Sequence, residues 1–220
     1  GVPLIAFTRR ATGVHPRIYL SAGVHGDEPA APQALLHLLE NDLLDHNATW
    51  FLVPMLNPTG FRLDQRENKN GVDLNRDYLG AQSTEIRDHV RWLKRQPRFD
   101  LAICLHEDWE ATGFYLYELS RGPDRTQAIA MRTVAASYLP IDSGDVIDGR
   151  PVDELGIIRP EADPALRETW PEAIYLFKHH TDICFTLETP SSFSPDLRIQ
   201  AHTSAVLCAV KHLREQSPPA

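Results

Sequence analysis

Apolar residues recur along the chain in two registers. Short runs at Pro3–Phe7, Ile18–Ala22, Trp50–Pro54, Leu101–Leu105, Phe114–Tyr117 and Ile183–Leu187 are each bounded by charged residues, Gly or Pro. Their length and apolar content predict β-strands. Longer stretches at Pro29–Glu40, Thr84–Gln96, Thr126–Tyr138 and Pro195–Leu213 read as helices, the last two with apolar residues three and four apart. Strands alternating with helices predict an α/β chain, a mixed sheet sandwiched between helices. Ser143–Glu172 breaks the rhythm: it is rich in Asp, Glu, Pro and Gly and reads as an irregular excursion rather than a linker. With no internal repeat, residues 1–220 are expected to form one domain, and Ser217-Pro-Pro-Ala220 a frayed end.

Composition narrows the classes. The 220 residues are 42% apolar and 24% charged, with Gly 12 and Pro 17, ordinary globular usage that excludes collagen-like, fibrous and disordered chains. A chain this long buries roughly 70% of its unfolded surface. The net charge of −8 offers no positive field for nucleic acid or anionic lipid. No run approaches the ~18 continuous apolar residues of a membrane-spanning helix. Gly1–Thr8 lacks the order of charge and apolar residues of a signal peptide, so a cytoplasmic location is expected. Cys104, Cys184 and Cys208 are odd in number and widely spaced, which argues against a disulfide framework or a thiolate metal site and suits a reducing compartment.

Four segments carry candidate chemistry. In Ser21-Ala-Gly-Val-His25-Gly-Asp-Glu28-Pro29 a strand gives way to a helix, and the spacing of His25 and Glu28 can put an imidazole nitrogen and a carboxylate on one side of a turn, close enough to share a zinc ion. The bland alternative is that Asp27 and Glu28 favour the helix dipole. From Arg66 to Arg76 only Val72 and Leu74 are aliphatic, which excludes a core element. Asn70-Gly71 signals a turn, and Arg66, Asn75 and Arg76 are donors suited to a carboxylate or an oxyanion, unless the loop is simply solvated. Leu101-Ala-Ile-Cys-Leu105-His106-Glu107-Asp108 and Ile183-Cys-Phe-Thr-Leu187-Glu188-Thr-Pro190 are apolar strands that end in His and acidic side chains. Active-site groups of α/β folds gather at such ends, and an acid there is costly to bury without a partner or a metal.

Together, and in chain order from about Ile18 to Ser192, these segments resemble the zinc metallocarboxypeptidase family, the carboxypeptidase A-like enzymes. The resemblance implies a three-layer α/β/α fold with a mixed, largely parallel sheet. It implies one zinc ion on His25 and Glu28 of the HxxE motif and on His106, with Glu188 as general base. Arg66, at its spacing from the Gly71-Val-Asp-Leu-Asn75-Arg76 motif, matches the arginine that polarises the scissile carbonyl; Asn75 and Arg76 match the pair that grips a terminal carboxylate. The implied reaction is zinc-assisted hydrolysis of an amide beside a free carboxylate, in a small peptide or acylated amino acid.

Three departures bear on specificity. Asp27 stands where the digestive members carry a substrate-contacting arginine, the chain is shorter than those enzymes, and of the family's active-site tyrosine only Tyr175 upstream of Glu188 offers a match. Gly-Val-His25-Gly-Asp-Glu28 is also similar to the murein-peptide amidases and to the aspartoacylase and succinylglutamate desuccinylase enzymes. An N-acyl amino acid deacylase is therefore the alternative activity. A non-catalytic binding module is the rival outside enzymes, and a structural zinc domain is disfavoured because no fourth protein ligand is evident. No second metal site is expected at His179-His180 or at His202 and His212. Cys104 reads as core, and Trp109, Phe114, Tyr115 and Tyr117 as packing.

Overall fold

The computed structural model describes residues 2–216; the closing tetrapeptide expected to fray lies outside them. The strands are β1 (Phe7–Arg9), β2 (Arg17–Ala22), β3 (Thr49–Val53), β4 (Leu101–Asp108), β5 (Tyr115–Ser120), β6 (Val146–Ile147), β7 (Arg150–Pro151), β8 (Ile157–Ile158) and β9 (Ile183–Pro190). The α-helices are α1 (Ala30–Glu40), α2 (Pro58–Leu63), α3 (Thr84–Leu93), α4 (Thr126–Ala135), α5 (Glu172–His179) and α6 (Pro195–Gln216). Among the described residues seven strands form one sheet in the order β1-β3-β2-β4-β9-β5-β8, and β6 pairs with β7 alone. β3, β2, β4 and β9 run parallel, β1 lies antiparallel to β3, and β5 lies antiparallel to β9 and parallel to β8. The mixed, largely parallel α/β sheet expected from the sequence is the one observed.

Both faces of this sheet are covered, which explains the near-continuous apolar runs of its central strands. Ile18, Leu20, Leu101, Ile103 and Leu105 point into a core closed by α1, α4 and α6. Tyr19, Ala102 and Cys104 point the other way, into a core closed by α3 and α5. Cys104 is buried there, and all three cysteines are free thiols.

Three expectations need correction. Strand pairing begins at Phe7, where Pro3–Phe7 was expected; Leu4 and Ala6 instead pack beside the α3/α5 core, so their apolar spacing records burial and not a ladder. Ser143–Glu172 is less irregular than its composition suggests: it holds the β6–β7 hairpin and β8, which extends the sheet beside β5. β4 and β9 also continue past Leu105 and Leu187, so His106 and Glu188 are themselves strand residues. Helices α2 and α5, absent from the sequence reading, are short, and α2 contains Pro58 and Gly60.

Candidate metal centre

β2, β4 and β9 are adjacent and parallel, so their carboxyl ends meet at one edge, the usual place for a site in an open α/β sheet. His25 and Glu28 lie in the turn from β2 to α1. That turn is pressed against α2: a Cβ at Gly26 would stand 2.1 Å from the Gly60 carbonyl carbon, and Gly23 has φ +67, so neither position accepts a side chain without strain. Asn57 caps α2 through Gly60 N (2.8 Å), donates its own N–H to Gly23 O (2.7 Å) and its side-chain amide to Arg66 O (3.1 Å). One buried amide thus ties together the segments carrying His25 and Arg66.

His25, Glu28 and His106 are buried and offer ligand atoms all within 4.8 Å of one another. His25 Nδ1 faces Glu28 Oε1 at 2.5 Å, and its Nε2 faces Asp73 Oδ1 at 3.2 Å. His106 Nδ1 lies 3.0 Å from Glu28 Oε2 without hydrogen-bond alignment, so Oε2 is a buried acceptor with no donor. Such an orphan in a folded interior calls for an explanation, and a cation supplies one. The charge balance points the same way. Burial disfavours an imidazolium at His25, yet the charge of Glu28, with Asp73, outweighs it and holds this group near 9. At Glu28 burial opposes ionisation, but His25 and His106 hold the carboxyl well below its usual range. The cluster demands positive charge among its donors. Two imidazoles and a carboxylate, with no fourth protein ligand among the described residues, are the donor set of an open metal site, and Asp73 behind His25 fixes the ring as an outer-shell carboxylate does.

The other sequence-predicted residues surround this cluster. Glu188 stands in direct register with His106 on the neighbouring strand. Burial raises its carboxyl well above the ordinary value, Glu28, Asp108 and Asp148 add to the rise, and His106 opposes it. Arg66 Nε donates to Asp73 Oδ2 (3.1 Å), which leaves Nη1 3.4 Å from His25 Nδ1 and 3.8 Å from Glu28 Oε1. Asn75 Oδ1 accepts from Glu172 N (2.8 Å), and its side-chain N–H groups bond to nothing among the described residues. Exposed Arg76 donates to the Asn75 carbonyl at 3.0 Å. All of these line one cavity of about 390 Å³ together with His25, Glu28 and His106.

Tyr175 is not at this cavity. It sits on α5 against Tyr78 and His179, with ring centroids 5.7 and 4.7 Å away, because Ala173 and Ile174 are the α5 residues that face the cavity. Tyr115, Tyr117 and Trp109 do line the cavity, whereas Phe114 is core. Several contributors escaped the sequence reading. Asp73 was quoted only as part of its motif. Glu172 was hidden in the excursion; its backbone places Asn75 and its carboxylate accepts from Tyr19 (2.5 Å) and Ser21 (3.0 Å). Arg150 and Arg167 bring two further cations to the cavity from the same excursion. Among the described residues no second cluster of metal-type donors accompanies His25, Glu28 and His106. His202 instead bonds Thr189, and His212 faces Thr126 and Asp124.

Comparison with known proteins agrees with this geometry. Carboxypeptidase SOL1 of Arabidopsis thaliana is 31% identical over 41% of this chain and 23% of its own length. Murein peptide amidase A of Escherichia coli K12 is 38% identical over 47% of this chain and 42% of its own length. The chain thus spans well under two thirds of either relative. A crystal structure of a candidate metallopeptidase from Shewanella amazonensis superposes with a TM-score of 0.81 at 28% identity, covering 96% of this chain and 82% of that one. Residues 14–148 match the catalytic-domain profile of the succinylglutamate desuccinylase/aspartoacylase family, and with more than half of its length so matched, the chain belongs to that family.

Proposed function

We propose that this chain is a single-domain zinc metallocarboxypeptidase that hydrolyses the amide bond next to a free carboxylate in a small peptide. One observation carries the reading: His25, Glu28 and His106 converge at the strand ends, with Glu188 in register beside His106 and Arg76 on the wall of the same cavity. Zinc is the metal this donor set suits, two histidines and a carboxylate with room for substrate. When bound there it supplies a Lewis acid that acidifies water and polarises a carbonyl.

The chain's own groups divide the remaining work. Glu188, on the strand beside His106, takes the proton of the attacking water and delivers it to the nitrogen of the leaving amine. Arg66, anchored by Asp73, turns its guanidinium toward the metal-type donors, where it would donate to the developing oxyanion. The side-chain N–H groups of Asn75 and the Arg76 guanidinium hold the substrate carboxylate.

A second reading, an N-acyl amino acid deacylase, is favoured by the family match and by a specific feature of the cavity. Arg76, Arg150 and Arg167 line it with no carboxylate within ion-pair distance among the described residues, while Arg66 is paired with Asp73. Such a wall suits a substrate with more than one acidic group. One experiment tests both. Protein purified without chelator is assayed for metal, then against C-terminally free dipeptides, the same dipeptides amidated at the C-terminus, and N-acetyl and N-succinyl amino acids. Roughly one zinc per chain and turnover of free but not amidated dipeptides are expected. Turnover of only the acyl amino acids moves the assignment to the deacylase. A protein that takes up no zinc, or cleaves amidated dipeptides equally well, sinks the carboxypeptidase reading.

A further inference from the structure

Beside the metal centre, on the face of the sheet that packs against α6, lies a buried polar pattern that the reaction does not use, of which Glu107 also reaches the cavity wall. In the register of β4 and β9, His106 pairs with Glu188, and the next pair is Glu107 and Thr189. Successive strand residues point to opposite faces, so the second pair is turned toward α6. Two residues of α6 one turn apart receive it. Arg198 forms a buried ion pair with Glu107 Oε2, and His202 Nε2 lies 3.1 Å from the Thr189 hydroxyl. Glu107 Oε1 accepts the N–H of Ala30, the first residue of α1, at 2.5 Å, two positions after the ligand Glu28.

The arrangement is costly for a purely structural device. Glu107, Arg198, Thr189 and His202 are all under 9% exposed, Arg198 Nε has no hydrogen-bond partner among the described residues, and His202 also faces the His106 backbone. Apolar residues at these positions would close the same core without desolvating a charge pair and two polar groups. What the polar version adds is direction. Glu107 joins the strand that carries His106 to the helix that follows Glu28, and Arg198 holds Glu107 in place. His202 fixes the residue next to Glu188. Metal ligands held by such outer contacts keep their geometry when the metal is absent.

We propose that Arg198 and His202 of α6 are positioning residues, a two-point brace in which Arg198, through Glu107, sets the spacing of His106 and Glu28, and His202, through Thr189, sets Glu188. The inference concerns two helix residues outside the cavity, Arg198 and His202, and takes from the proposed function only that the cluster binds zinc and that Glu188 serves it.

Zinc affinity by chelator competition decides the Arg198 arm. The variant Glu107→Gln/Arg198→Met keeps an acceptor for Ala30 N and leaves no buried charge unpaired, so the chain still folds; its melting curve is recorded without metal. The expected result is zinc binding weakened about 10- to 100-fold, the range for loss of outer-shell partners, with cooperative unfolding retained. Restoring the pair with Arg198→Lys on the native Glu107 is expected to recover most of the affinity, which a purely structural role would not predict. Zinc affinity within twofold of the native value in the folded double variant overturns the Arg198 arm. For the His202 arm, His202→Leu is expected to lower kcat about tenfold with KM unchanged, and His202→Gln to restore it; an unchanged kcat in His202→Leu overturns that arm. If the protein binds zinc but cleaves no amide, the proposed function fails while the affinity measurement still decides the brace.

Discussion

The two walls of the cavity are built in opposite ways. On one side, His25, Glu28 and His106 stand on or directly after strands buried on both faces, and each is held by a neighbour: Asp73 behind His25, the β4–β9 register beside His106, Glu107 between β4 and α1. On the other side, Arg76 and Arg150 are exposed, and Arg150 and Arg167 come from the excursion between α4 and α5. Arg150 follows the tip of the β6–β7 hairpin, where Asp148 and Gly149 take φ of 48 and 65. Asp148 is held by the Tyr117 hydroxyl, which pins the hairpin beside the antiparallel partner of β9. The contrast separates two tasks. Holding a metal ion requires donors fixed to a fraction of an ångström, which a packed sheet edge supplies. Recognising a carboxylate tolerates long, solvated side chains on a loop, and loops are where specificity is free to vary.

That contrast can be broken from either side. The largest effect is expected from His106→Ala: bound metal falls from about one per chain to near none by elemental analysis, and turnover goes with it. Retained stoichiometric zinc would mean that the rigid wall is not the metal site. Glu188→Gln should keep the metal and lower kcat by about 10²- to 10⁴-fold, the usual contribution of a positioned general base; substantial remaining activity removes Glu188 from that role. Arg198→Met tests the rigidity itself. Removing one partner of a buried pair strands the Glu107 charge, and an unfolding free energy lower by about 3–5 kcal/mol is expected in denaturant titration. A loss below about 1 kcal/mol, the scale of surface pairs, would place this contact with the exposed ones. On the adaptable wall the effect should be smaller and of another kind. Arg76→Ala should raise KM for carboxylate substrates about 10-fold with stability unchanged, the loss of one hydrogen bond to a charged group. An unchanged KM would move carboxylate recognition to other arginines.

The rigid wall was legible in the sequence and the adaptable one only at Arg76, for a physical reason. His106 and Glu188 ended apolar runs, and a charged group at the end of a buried strand has few explanations, so each signalled chemistry before any contact was known. The motifs around His25 and Asn75 added spacing. Arg150 and Arg167 lie in a stretch without period, where an arginine at the cavity and an arginine in solvent look alike. Tyr175 failed for the complementary reason: distance along the chain to Glu188 does not tell which face of α5 its ring takes.

By itself the sequence determined the α/β class and the order of the central strands and helices, because burial on both sheet faces leaves marks in local patterning, while the metal-type donors were named by the family resemblance of their motifs. Only the tertiary structure decided that β2, β4 and β9 are neighbours, so that residues far apart in the chain meet at one edge. It also decided that Glu107 and Thr189 meet Arg198 and His202 of α6. Strand order and cross-element pairing follow from how the whole chain closes its two cores, and that closure depends on contacts distant in sequence, which no local pattern encodes.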